Sequence, residues 1–231
     1  MLLTVLVIAV VSAALIAGAG WGASGKISPR VEGFVIALAG GALIVSSVLE
    51  LVEPATGTAP LWAVVGCVLA GAGVFVAMDR LVARRLGSNS GGGLLAAITL
   101  DGVPENLALG VALIGAGPLQ VASLSGSIFL SNLSEAAGGA REMTQQRSRW
   151  QVMALWAGAA VLLSLSALAG NLLLAGVPGT ALGLVRCVAG GAVVASLATE
   201  VFPQAFKEES YMAGFATALG MVLAIGLDQL G

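Results

Sequence analysis

Histidine is absent from all 231 residues. Without an imidazole, Ser-His and Cys-His nucleophilic catalysis are excluded, and so is every metal site built on a histidine nitrogen. Cysteine is nearly as scarce. Cys67 and Cys187 both lie in apolar runs, with no CxxC spacing, and read as packing residues. Charge is the third shortage: 10% of the residues are charged, against about 25% in an ordinary soluble domain. What takes their place is apolar. The chain is 58% hydrophobic, with a mean hydropathy of +1.01.

Apolar runs of the length that crosses a bilayer, about 20 residues, lie near 1–22, 33–53, 60–79, 93–116, 119–140, 151–175, 181–204 and 211–230. The first of them competes with a secretory signal peptide. It has no basic n-region and is long enough to span, so it is expected to be retained. Nothing remains for a soluble domain. The expected fold is therefore all-α: a polytopic membrane protein of eight transmembrane helices, one domain over 1–231.

Basic residues orient it. Lys26 and Arg30 follow span one, Arg80, Arg84 and Arg85 follow span three, Arg141, Arg147 and Arg149 follow span five, and Lys207 follows span seven. The alternate connections hold only Arg186, so nine of the ten basic residues share one side. By the positive-inside rule that side is cytoplasmic, which puts both termini outside the plasma membrane.

The stretch "GGALIVSSVLE" at 40–50 is matched by "GGAVVASLATE" at 190–200, with Gly-Gly-Ala, Ser and Glu at the same offsets. Each is followed by a proline, Pro54 or Pro203. The two stretches lie in spans two and seven, which run in opposite directions. Similar sequence in opposed helices suggests an inverted repeat of spans 1–3 and 6–8, arranged 3+2+3 around spans four and five.

Those central spans carry the acids. Span four holds Asp101, Pro104 and Glu105, and span five holds Ser131, Asn132, Ser134 and Glu135. Asp101 and Glu105, like Ser131 and Glu135, are four residues apart and so share a helix face. Asp101 lies roughly eight residues, and Glu135 about five, from a cytoplasmic helix end, which at 1.5 Å per residue is a comparable depth. A charge at the bilayer centre costs at least about 2.5–3.5 kcal/mol, and no Lys or Arg lies mid-span to pair with these acids. Pro104 lacks an amide hydrogen and frees the carbonyl of Leu100; Pro203 does the same for Thr199 and Pro54 for Glu50. Carboxylates, amide and hydroxyl oxygens and loosened carbonyls are what a hard cation takes in exchange for water.

These residues resemble the ZIP (ZRT/IRT-like protein) family of divalent metal transporters. The family's fourth-helix motif, roughly His-Asn-x-Pro-Glu-Gly, appears as "DGVPEN", with Asp101 in place of the histidine and Gly102 in place of the asparagine. Its fifth-helix motif appears as "SNLSE", keeping Asn132 and Glu135 with Ser131 and Ser134 substituted. "GGAVVASLATEVFPQAF" is similar to its seventh helix and "LELVEPA" to the end of its second. The chain looks like a diverged prokaryotic-type member without histidines.

The resemblance implies eight spans, both termini outside, and a metal site between helices four and five. It implies Asp101, Glu105, Ser131, Asn132 and Glu135 as ligands, Glu200 at the exit, and Glu50 or Asp228 at the outer entrance. Divalent metal is then the cargo rather than a permanent cofactor, with no enzymatic activity expected. An all-oxygen site suits manganese or ferrous iron as well as zinc. The expected partners are the metal ion and the lipid bilayer, not nucleic acid, and a homodimer is the one protein assembly entertained. Two departures stand out. The sixth span lacks the acid that would complete a second metal site, and no His-rich stretch follows span three. The competing functions are a diverged carrier of protons or an organic cation, and a non-transporting scaffold.

Overall fold

The computed structural model describes residues 2–25, 28–86, 91–117 and 121–230, with side chains outside 85–101. Among these residues the chain is helical without strands. It runs through eight helical segments: α1 Leu2–Ala23, α2 Pro29–Thr56, α3 Leu61–Leu86, α4 Gly91–Ala112, α5 Ala122–Met143, α6 Arg149–Leu174, α7 Gly179–Glu208 and α8 Ala213–Asp228.

Local chemistry explains where several of these begin. Ser28 caps α2, its hydroxyl accepting from Val31 N at 3.3 Å, and Pro29 opens the first turn, where a missing N–H costs nothing. Ser148 caps α6 in a reciprocal box: Gln151 N donates to the serine oxygen at 3.4 Å and Ser148 N to Gln151 Oε1 at 3.1 Å. Gly25 and Gly115 turn the chain at φ +70° and +73°, a conformation that a Cβ would strain.

Among the described residues, five helices are long and apolar enough to cross a membrane: α1, α2, α3, α6 and α7. α5 and α8 differ from the expected apolar spans for separate reasons. α5 is rich in serine and carries Asn132, Glu135 and Arg141, because most of it is buried among other helices. α8 has 16 residues, about 24 Å at 1.5 Å each.

The strongest packing pairs α1 with α5, α6 with α4, α2 with α8 and α7 with α3; α2 also meets α5, α7 meets α4, and α1 meets α6. The main core lies between α2, α4, α5 and α7, where Leu43, Leu51, Leu109, Leu124, Ile128 and Leu197 are fully buried. A second cluster surrounds Trp156 of α6, against α1 and α5. At the periphery, α3 turns Trp62, Val65, Leu69 and Val74 outward, and α8 does so with Phe215 and Val222. An apolar surface of that extent is a liability in water and suits hydrocarbon.

Both α2 and α7 are interrupted by one widened turn. Val48–Val52 and Leu197–Val201 are π-helical, closed by Glu53 N–H to the Val48 carbonyl and Phe202 N–H to the Leu197 carbonyl. Glu50 and Glu200 lie within these turns, with Pro54 and Pro203 just beyond. The prolines withhold an amide hydrogen, and the helix absorbs the defect by reaching one residue further back.

Candidate functional site

Glu105 of α4 and Glu135 of α5 are buried and are charged neighbours of each other. The structure thus brings together two of the three central acids. The side chain of Asp101 lies outside the described residues. Ser131, one turn from Glu135, donates its hydroxyl to Glu135 Oε1 at 2.6 Å, as their shared face requires. Neither oxygen of Glu105 meets a hydrogen-bond donor among the described residues.

Two amides add to this supply of acceptors. Asn132 spends its Nδ2 hydrogens on the Val11 carbonyl of α1 at 3.2 Å, and Asn106 spends its own on the Gly102 carbonyl at 2.9 Å. A carbonyl can only accept, so each amide must turn its nitrogen there and keep its oxygen for something else. Both Oδ1 atoms are buried without a donor among the described residues. A buried acceptor left unsatisfied costs about 1–3 kcal/mol. The two oxygens of Glu105, orphaned on one carboxylate, call for a positive complement. The donor set is oxygen alone, which fits a hard divalent ion. Among the described residues, no three side chains of Asp, Glu, Cys or His gather to hold a metal; by sequence alone, Asp101 lies one turn from Glu105 on the same face. Asn106 was not singled out in the sequence, although it stands beside Glu105.

Two further acidic groups flank this pair. Towards the basic end, Glu200 has Asp79 of α3 and Glu135 as charged neighbours. Asp79 was missed because it precedes Arg80 and reads as part of a basic helix end. The available signal was the repeat: Asp79 and Asp228 are separated by the same number of residues as Pro54 and Pro203. Towards the opposite end, Glu50 and Asp228 line one cavity of about 410 Å³ together with Arg186. Glu50 Oε1 accepts from Leu124 N at 2.6 Å, capping α5 where its first amides have no helical partner. The acids expected at an outer entrance therefore do share a cavity, and they share it with a cation that the sequence had used only to count charges.

A second cavity, of about 640 Å³, opens at the basic end between α2, α5 and α7. Gly138 and Pro203 in its wall lie one turn from Glu135 and Glu200. Arg141 lies across it, with Nε 3.1 Å from Glu32 Oε2 and Nη2 3.3 Å from Glu208 Oε2. Glu32 is 1% exposed and presses its Oε1 on Gly138, where a Cβ would collide with it. One guanidinium thus clasps the ends of three helices. Breaking a buried pair from one side costs about 3–5 kcal/mol, and the partial exposure of Arg141 lowers this to about 2. Arg141→Gln should therefore reduce the thermal midpoint by about 4–8 °C, and the double variant Glu32→Gln/Arg141→Gln should recover part of the loss. A single variant that melts with the wild type would leave the clasp without energetic weight.

The chain matches no protein-family model and no curated protein. Its function has to be read from the oxygens themselves.

Proposed function

We propose that the chain is a ZIP-like transporter that carries a divalent cation across the plasma membrane towards the cytoplasm. The observation that carries this reading is Glu105: a buried carboxylate with another acid beside it and, among the described residues, no donor to either oxygen. Such a group is stable only if a proton or a cation attends it. We read the attendant as a cation, since the orphaned amide oxygens of Asn106 and Asn132 on the same two helices accept and cannot be protonated.

On this reading the eight helices all span, the basic end faces the cytoplasm, and both termini lie outside. Glu50 and Asp228 collect the ion. Asp101, Glu105 and Glu135 hold it midway, supported by Ser131, Asn132 and Asn106. Glu200 and Asp79 receive it on the way to the cytoplasmic cavity. Several observations support an inverted 3+2+3 repeat. Exchanging α1 with α6, α2 with α7, α3 with α8 and α4 with α5 maps the packing pairs onto one another. The two π turns fall on the matched Glu50 and Glu200. Gly41 of α2 abuts the Thr217 carbonyl of α8, as its counterpart Gly191 of α7 abuts the Val68 carbonyl of α3. An arrangement that looks alike from both sides is what alternating access needs.

Asp101 is placed by sequence to set the metal preference. A carboxylate suits harder ions and adds a negative charge, whereas imidazole is neutral and softer. Asp101→His should therefore move the preference from manganese towards zinc by about tenfold, corresponding to about 1.4 kcal/mol, in competitive uptake at matched expression. An unchanged zinc-to-manganese ratio would remove Asp101 from the ligand set.

A further inference from the structure

Arg186 is out of place in an entrance that collects cations. It is the one basic residue of the sequence expected on the outer side, and it lines the same cavity as Glu50 and Asp228. It projects from the first half of α7 and is half-buried. Its Nη2 donates at 2.9 Å to the Val111 carbonyl at the C-terminal end of α4, which also accepts from Ile114 N at 3.1 Å. That bond uses one of five guanidinium hydrogens. Its Nε is buried without an acceptor, and Glu50 Oε2 is buried without a donor, among the described residues. Guanidinium and carboxylate are charged neighbours that attract without being locked in a bidentate pair.

A purely structural arginine would be expected to fill its donors. Among the described residues this one keeps a single anchor, on α4, and leaves its Nε unspent in the cavity of the entrance acid. The contrast with Arg141 is direct. At the cytoplasmic cavity the guanidinium engages two carboxylates at 3.1 and 3.3 Å and ties three helices. At the outer cavity it holds one carbonyl and faces an acid that is still free on one side.

We propose that Arg186 is a tethered cation that attends the entrance carboxylates between cargo ions and sets the affinity and charge selectivity with which the entrance takes a cation. This rests on the transport reading. An arriving ion competes with the guanidinium's charge for Glu50. A divalent ion outcompetes it because it brings twice the charge to the same oxygens. A monovalent ion brings only the charge that arginine already supplies and gains no advantage. The arginine also weakens the entrance as a trap, so that a bound ion moves on to Glu105 and Glu135.

The test is manganese uptake by the full chain in proteoliposomes, with KM and maximal rate resolved and sodium added as competitor. Arg186→Gln should lower KM about tenfold, reduce the maximal rate, and make uptake sensitive to sodium. Arg186→Lys keeps the charge and should keep KM within about threefold. Glu50→Gln retains an acceptor for Leu124 N and should raise KM about tenfold; it tests the same electrostatics if Arg186→Gln does not fold. The double variant Glu50→Gln/Arg186→Gln should return KM towards the wild-type value. If Arg186 only braces α7 against α4, then Arg186→Gln loses rate at unchanged KM and sodium has no effect, which overturns the proposal while leaving transport intact. Absence of uptake by the wild type overturns the transport reading, and the role of Arg186 falls with it.

Discussion

Glu105→Gln is expected to melt at a higher temperature than the wild type without added cation, and to lose the stabilisation that a divalent cation confers. Glutamine has nearly the shape of glutamate, so packing around Pro104 is kept. The change removes a carboxylate held beside Glu135 and replaces one acceptor oxygen by an amide that can donate to its acceptor-rich neighbours. Relieving an uncompensated buried acid is stabilising by roughly 1–3 kcal/mol. A cation bound at a hundredfold excess over its Kd stabilises the folded state by about 2.7 kcal/mol, or about 5–10 °C for a chain of this size. The wild type should show that increment in manganese or zinc and the variant should not. The crossing is diagnostic, since an acid kept only for packing would show neither effect. An equal metal-dependent shift in both proteins would place the cation somewhere other than Glu105.

The second large effect is steric. Gly41 and Gly191 each face a backbone carbonyl at a distance that admits no Cβ, that of Thr217 in one case and of Val68 in the other. Gly41→Ala must push α8 away from α2, and Gly191→Ala must push α3 away from α7. Overpacking costs about 1–3 kcal/mol where the obstacle is a side chain, and a backbone carbonyl cannot rotate aside. A loss of about 3 kcal/mol or more is expected for each, read as a fall of at least about 6–12 °C in the thermal midpoint. The two losses should be similar, because the two glycines occupy matched places in the repeat. Gly66→Ala is the control: a Cβ there meets nothing within 4 Å, and alanine is the better helix former by about 1 kcal/mol. Tolerance at Gly41 and Gly191 equal to that at Gly66 would mean that these helices are not held at carbonyl contact.

What could be read from the sequence was whatever is written locally. The helices follow from apolar runs and polar caps such as Ser28 and Ser148. Glu50 and Glu200 were visible because a repeated stretch surrounds each. Glu105 and Glu135 were visible because an acid in an apolar run is costly wherever it ends up. What lay hidden is long-range. The widened turns at 48–52 and 197–201 come from prolines several residues downstream, and a proline alone does not say whether a helix kinks, stops or widens. Arg141, Glu32 and Glu208 are far apart in sequence, and each reads as an ordinary charge at a helix end until the fold joins them. Arg186 was similarly absorbed into an orientation count, and Asp79 into a basic helix end. The polar residues of α5 were visible in the sequence, but not the partners that let a buried helix carry them, such as the Val11 carbonyl that accepts from Asn132.

Uptake of radiolabelled manganese by the purified chain in sealed proteoliposomes tests the central claim most directly, with Glu105→Gln and protein-free vesicles in parallel. Transport through the oxygens between α4 and α5 predicts saturable, time-dependent accumulation by the wild type, competed by zinc and reduced at least a hundredfold in Glu105→Gln. Accumulation at the protein-free level in the wild type, or equal accumulation by wild type and Glu105→Gln, would contradict it.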